Sequence, residues 1–404
     1  MKPIHRIRWG VAAALLGGCA LVARAEPVTL ARAVDAAWQR TQAGAASQAQ
    51  VLRAQAERDA AASLLAAPPA VQLSQRSDRW QDNAGVRERE IGVALPLWLP
   101  GQRSARQAAA EAELRSASAG GDLARLRLAG QLRELAWNLA GLRAERASLQ
   151  AQQRYLQALA ADVERRVRAG DLARTDALAA QGERLANEAE LLAATQRLQA
   201  ERERWTALTG LAADEVDATE PQTPDRELDG HPQLAQLAQA AEAARRQLDA
   251  TRRDLADAPE LSVGYRNERD AHGQPGRGSV TVGLRIPFGT AQRNLPLRAA
   301  AQGALDQALA EQDRSRLELA AELAIARSEL QSADSQAAMQ RERAGLLRQR
   351  ATLLDTSFRA GETALPELLL AVQAAAQADA TLARQQAALG QARARLLQAF
   401  GVIP

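Results

Sequence analysis

Cysteine occurs once in this 404-residue chain, at Cys19, and histidine three times, at His5, His231 and His272. No disulfide framework can form, and a dedicated metal centre has no cluster of thiolate or imidazole ligands to draw on. Met339 is the sole methionine after the initiator and Lys2 the sole lysine, so positive charge is carried by arginine. Aromatic residues make up 3% of the chain, which leaves few platforms on which bases could stack. The formal charge of +3 is slight and belongs to the N-terminus: setting aside Lys2, Arg6, Arg8 and Arg24 takes the 51 basic residues to 47, against 48 acidic ones. Both observations exclude nucleic acid as a partner. With neither thiol nor imidazole grouped for chemistry, the chain is expected to be no enzyme and to bind no cofactor.

Residues 1–25 have the make-up of a secretory signal peptide. Lys2, Arg6 and Arg8 precede the apolar run Trp9 to Val22, and Ala23-Arg24-Ala25 offers a small-x-small cleavage site before Glu26. Leu15-Leu16-Gly17-Gly18-Cys19 also fits a lipoprotein box, in which Cys19 would be lipidated. Beyond this segment no run of about 18 apolar residues occurs, so a membrane crossing would have to be made by strands.

What the sequence does contain is itself, twice. Pro68 pairs with Pro259, Gly92 with Gly283, Pro96 with Pro287, Arg168 with Arg359, Gly170 with Gly361 and Gly210 with Gly401. Shared alanine and leucine would be cheap in helical sequence, but proline and glycine held in frame mark an internal repeat. The repeats are 26–211 and 231–404, and the acidic, proline-bearing segment 212–230 between them reads as a linker. Each is expected to run helix, strand, strand, long helix, helix.

Alternation identifies the strands. Ile91, Val93 and Leu95 alternate with Glu90, Gly92 and Ala94, as Val280, Val282, Leu284 and Ile286 do with Thr281, Gly283 and Arg285. Their partners are Val71 to Trp80 and Leu261 to Arg269, giving β-hairpins at about 70–98 and 261–288. Strands of about 10 residues with one apolar face suit a bilayer barrel. Between Arg103 and Ala169, about 67 residues at 1.5 Å each predict a rod of about 100 Å. Its leucines, from Leu128 through Leu159, recur at coiled-coil steps. Helices over Thr29 to Ala66 and Asp176 to Thr209 would together match that length. The second repeat is expected to hold a rod from Arg293 to Ala360 beside helices over Pro232 to Asp257 and Glu367 to Phe400. Such a rod is far longer than a bilayer is thick and must project from it. Four strands close no barrel, which takes about eight or more, so several copies would have to share one.

These features together resemble the TolC-like outer-membrane factors of tripartite efflux systems, over essentially the whole chain after the leader. The most specific matches are Arg168-Ala-Gly-Asp-Leu-Ala-Arg-Thr-Asp-Ala-Leu and Arg359-Ala-Gly-Glu-Thr-Ala-Leu-Pro-Glu-Leu-Leu. The resemblance implies a mainly α chain with membrane β structure. Three copies would give a twelve-stranded outer-membrane barrel above a periplasmic α-barrel made of duplicated helical hairpins. It implies passive conduction in a bacterial outer membrane, a homotrimer in contact with outer-membrane lipid, a periplasmic adaptor and an inner-membrane pump of the RND type. Pro96-Leu-Trp-Leu-Pro-Gly-Gln-Arg103 and Ile286-Pro-Phe-Gly-Thr-Ala-Gln-Arg-Asn294 are more similar to the heavy-metal branch than to the multidrug one. By position, Ala169, Gly170, Asp171, Ala360, Gly361 and Glu362 match the family's adaptor-docking turns. The glycines suit left-handed helix ends, Arg168 and Arg359 complement those ends, Thr175 would cap the returning helix and Pro366 suits its counterpart's first turn. The family closes its mouth with a Thr-Asp pair, matched by Thr175 and Asp176, and with a tyrosine, an arginine and acids in the second repeat. Here Phe358, Thr363 and Leu370 replace the tyrosine, the arginine and one acid, while Glu367 keeps the other. A gate held by Phe358 packing and an acidic ring of Asp176 and Glu367 is the expectation. A periplasmic adaptor, with one hairpin in a β-rich module, and a coiled-coil spacer are the competing readings.

Overall fold

The computed structural model describes residues 28–214, 216–221, 228–254, 258–288 and 291–404. The signal peptide, with Cys19, lies outside them. The first repeat comprises β1 (Val28–Thr29), α1 (Leu30–Arg40), α2 (Gln42–Ala61), β2 (Ala70–Ser77), β3 (Arg87–Pro96), α3 (Gln102–Ala169) and α4 (Arg174–Thr209). Then come β4 (Val216–Asp217), α5 (Pro232–Arg253), β5 (Glu260–Arg269), β6 (Arg277–Arg285), α6 (Ala291–Arg359) and α7 (Leu365–Ala399). The rods α3 and α6 have 68 and 69 residues, about 100 Å each at 1.5 Å per residue.

The four long strands form one antiparallel sheet in the order β2-β3-β5-β6, so β2 and β6 each have a free edge. The helices below keep that order. Near the sheet α3 packs against α2 and α5, and α5 against α6; farther away α3 packs against α4 and α7, and α7 against α6. The result is a wall four columns wide. Two columns are the continuous rods, and two are stacks, α2 over α4 and α5 over α7.

The first helix is broken where continuity was expected from Thr29 to Ala66. Thr41 is extended (φ −85°, ψ 151°), and its N–H still donates to the Ala37 carbonyl at 2.9 Å. The chain then turns so tightly that a Cβ at Gly44 would lie 2.0 Å from the Trp38 carbonyl oxygen. Glycine alone fits that approach. Residues past Ala61 leave the helix, and the Ala66 N–H donates to the Pro96 carbonyl at the foot of β3. β2 ends at Ser77 rather than Trp80, because the Asp78 carboxylate accepts the Gly85 N–H at 3.0 Å and closes the loop. α5 ends at Arg253, and the expected end at Asp257 lies outside the described residues.

The segment between the repeats is more than a spacer. β4 pairs in parallel with β1, Val28 facing Val216, and Ala213 and Ala218 are buried. They complete a core with Leu30, Val34, Leu132, Leu139, Leu198 and Trp205 at mid-height of the wall. Arg133, 2% exposed, reaches through that level to Glu220, Gln398 and the Val402 carbonyl.

Candidate channel wall and periplasmic tip

The sheet has two unlike faces. Register places Val71, Val93, Val263 and Val282 in one row, Leu73, Ile91, Tyr265 and Val280 in the next, and Leu95, Leu261 and Leu284 in a third. Nearly all of these are exposed. Gln75, Arg89, Asn267 and Gly278 end the apolar face on the loop side. Ile286 and Phe288, the latter 93% exposed, extend it toward the rods. On the opposite face Arg266 lies 3.0 Å from Glu88 and 3.1 Å from Glu90, and Ser74, Ser262, Ser279 and Thr281 share it. One face is thus suited to hydrocarbon and the other to water. Where the sheet meets the rods, α2, α3, α5 and α6 enclose a concave groove of about 1600 Å³, in which alanine is the commonest lining residue beside Arg53, Glu57, Arg106 and Glu113.

At the far end two helical hairpins turn in the same way. Gly170 (φ 92°) and Gly361 (φ 82°) are left-handed. The Asp171 N–H donates to the Arg166 carbonyl at 2.9 Å, and the Glu362 N–H to that of Ser357 at 3.0 Å. Both are Schellman closures that satisfy the last carbonyls of a long helix. Ala169, Gly170, Asp171, Ala360, Gly361 and Glu362 are all exposed at these turns. The capping expectation for Thr175 is corrected: α4 starts at Arg174, so Thr175 lies within its first turn. The Asp176 carboxylate instead accepts the Ala173 N–H at 3.2 Å. Pro366 falls in the first turn of α7.

The two hairpins are sewn together within one chain. Phe358 is 2% exposed and packs with Leu159, Val163, Ala177, Ala180, Leu365 and Leu368, drawn from both repeats. The Arg166 guanidinium lies 5.2 Å over its ring, donates to the Phe358 carbonyl at 3.4 Å and is held by Asp162 at 3.0 Å. The Tyr155 hydroxyl donates to Asp355 at 2.9 Å, and Arg359 lies 3.0 Å from the other oxygen of that carboxylate. Burial, then Asp355, hold the Tyr155 phenol well above its ordinary pKa. Thr363 is hydrogen-bonded to Ser357 at 2.6 Å, while Thr175, Glu367 and Leu370 are exposed and Asp176 is half-buried. Arg166, Tyr155 and Asp355 were not singled out from sequence. Arg166 corresponds to Ser357 in the other repeat, so the repeat itself carries no signal for it.

No helix among the described residues is long and apolar enough to cross a membrane, and no group of metal-ligating residues occurs among them. The family model described as outer membrane efflux protein matches residues 223–402. No curated protein matches the chain by sequence. Solved structures do. The outer membrane protein VceC of Vibrio cholerae matches with a TM-score of 0.72 at 18% identity, over 92% of this chain and 96% of that one. The CmeC outer membrane channel of Campylobacter jejuni gives 0.72 at 13%, over 92% and 85%. The MtrE outer membrane channel of Neisseria gonorrhoeae, in its open state, gives 0.73 at 15%, over 92% and 88%. The fold is that of the outer-membrane efflux channels. Membrane β-strands and duplicated rods therefore belong to one architecture, and neither an adaptor's single hairpin nor a bare coiled-coil spacer accounts for it.

Proposed function

We propose that this chain is the outer-membrane exit duct of a tripartite efflux system, a homotrimer that conducts substrates passively from an inner-membrane pump of the RND type and a periplasmic adaptor. The observation that carries this reading is the four-stranded sheet. It has a lipid-type face, two open edges and rods of about 100 Å leaving one end. A sheet with free edges cannot stay open in a bilayer, so copies must pair edge to edge until the barrel closes. The exposed turns at Gly170 and Gly361 are the proposed adaptor-docking tips. Thr175, Asp176, Thr363 and Glu367 surround the proposed mouth, where Phe358 acts as the packed base on which the gate rests. Pro96 to Arg103 and Ile286 to Asn294 support the heavy-metal branch, and a deletion strain exposed to panels of metals and drugs tests that placement.

The duct reading is tested by fractionation and conductance. The expected result is detergent-dependent extraction from outer membranes and single channels in planar bilayers, with replacement of Phe358 and Glu367 by Ala raising open probability. A protein released in soluble form from the periplasm refutes the reading, and unchanged open probability in the double variant refutes the gate.

A further inference from the structure

The apolar face of the sheet carries no acid at any register position. Glu88, Glu90, Glu260 and Glu268 all fall on the opposite face. Three arginines, by contrast, share the apolar face on its loop side. Arg89 stands beside Asn267, and one row nearer the loops Arg87 stands directly opposite Arg269. Like charges opposed across two strands, with Cβ atoms about 5 Å apart, destabilise a sheet. Nothing in the chain offsets this. Among the described residues the guanidinium groups of Arg87, Arg89 and Arg269 make no ion pair or hydrogen bond, and Arg269 Nε is shielded from water without a partner. Asp78 and Asp270, the acids that directly follow β2 and β5, are engaged elsewhere: the first accepts the Gly85 N–H at 3.0 Å, and the second lies 4.0 Å from Arg277.

The cluster also stands at a boundary in depth. The exposed Tyr265 ring leans toward the loops over Gly278, where a Cβ would lie 2.3 Å from the phenol oxygen. Its ring therefore lies against the apolar rows while its hydroxyl reaches the level of Arg89, as a tyrosine at a membrane–water interface does. Leu73, Ile91 and Tyr265 below and Gln75, Arg89 and Asn267 above line a shallow cleft of about 500 Å³. Glu90, the acid at its rim, is held 3.1 Å from Arg266. An amphiphile suits such a surface, with apolar chains below and an anion above. The loop end of the sheet points away from the rods, so in an outer membrane it meets the outer leaflet, which is built of phosphorylated glycolipid.

We infer that Arg87, Arg89 and Arg269 form a binding site for the phosphate groups of an outer-leaflet glycolipid, whose acyl chains lie along Leu73, Ile91 and Tyr265. Planar guanidinium groups hold phosphate through paired N–H donors, and a basic cluster at headgroup depth is a recognised form of lipid site. The phosphates supply the counter-charge that the opposed Arg87 and Arg269 lack within the chain. The inference rests on the membrane reading of the sheet and adds to it a leaflet, a headgroup chemistry and the residues that hold it.

The test uses the full-chain oligomer extracted from outer membranes in a non-ionic detergent, with lipid binding read by native mass spectrometry and thermal shift. Purified lipid A is expected to bind and to raise the melting temperature. Dephosphorylated lipid A, phosphatidylglycerol and inorganic phosphate should each bind several-fold more weakly. Arg87→Gln/Arg269→Gln should lower the affinity for lipid A roughly 10- to 100-fold, whereas Arg87→Lys/Arg269→Lys should keep most of it. Without lipid the Gln variant should melt no lower than the parent, because it loses a like-charge pair; a merely structural role for these arginines predicts the reverse. Arg89→Gln, opposite the neutral Asn267, gives the same reading where the double variant does not assemble. Arg76→Gln, on the other face, should leave the affinity unchanged. A channel that conducts but binds lipid A equally well in the parent and the Gln variants overturns the site and leaves the duct reading standing. Equal binding of dephosphorylated lipid A, phosphatidylglycerol or inorganic phosphate does the same. A chain that is soluble in the periplasm overturns both.

Discussion

Replacing Arg133 with Met should detach the segment between the repeats and the C-terminal turn from the wall. The guanidinium donates to both oxygens of Glu220 at 2.8 and 2.6 Å, to Gln398 Oε1 at 2.7 Å and to the Val402 carbonyl at 2.9 Å. Its side chain is 2% exposed and that of Glu220 8%. Methionine fills the apolar stem's space but leaves a buried carboxylate without its counter-charge, a loss of about 3–5 kcal/mol. Removing both charges, in Arg133→Met/Glu220→Leu, leaves no unpaired charge, only the neutral acceptors of Gln398 and Val402, and should recover most of that loss. Amide hydrogen exchange of the detergent-solubilised oligomer reads this locally. Protection at 216–221 and 397–402 should fall by roughly two to three and a half orders of magnitude in the single variant. It should return in the double variant. A single variant that loses less than about tenfold, or a double variant as damaged as the single, refutes the reasoning.

Gly390→Ala puts a Cβ 2.1–2.4 Å from the Trp137 ring, so α3 and α7 must separate; a loss of about 1–3 kcal/mol in thermal unfolding is expected. His231 is buried and its pKa is held down by that burial, so the unfolded chain takes up a proton first and stability falls as pH drops below about 6.5. Protonation also removes the Nδ1 acceptor of the Gln233 N–H, and His231→Asn should flatten melting curves taken between pH 5 and 7.5. The raised Tyr155 pKa has the opposite sense: the unfolded chain loses its proton first, so stability declines as pH rises above about 10. Tyr155→Phe should cost about 1 kcal/mol at neutral pH and abolish that alkaline dependence in melts between pH 9 and 11.

The long elements were legible in sequence because each carries a periodic signal many residues deep. The α3 boundaries, expected at Arg103 and Ala169, fall at Gln102 and Ala169. The alternation of Ile91, Val93 and Leu95 places them on the exposed apolar face, in register with the β5 and β6 rows. What escaped were contacts between segments far apart in the chain. The break at Thr41 depends on Gly44 meeting Trp38, and a glycine among alanines carries no visible signal of that approach. Segment 212–230 looked like a linker because β4 has two residues and its partner β1 also has two. The buried Glu220 that anchors it resembles any acidic linker residue until Arg133 is seen beside it. At the tip, Phe358 was read as a mouth residue by its alignment with a tyrosine. The structure buries it between hairpins, and burial of one side chain by two repeats is invisible to a comparison of the repeats with each other.

The four-column wall also has a mechanical reading. Two columns are uninterrupted helices, stiff along their length and able to bend only gradually. The other two are interrupted at mid-height, where α2 gives way to α4 and α5 to α7, at the level of the core around Trp205 and the turn beside His231. Such a wall behaves like a strut laid beside a jointed lever. The struts fix the distance between sheet and tip, while the levers below the joint can change tilt without pulling a single strand out of register. In the proposed duct, dilation of the far end would thereby be mechanically uncoupled from the sheet end, with the wall's length the quantity that stays constant.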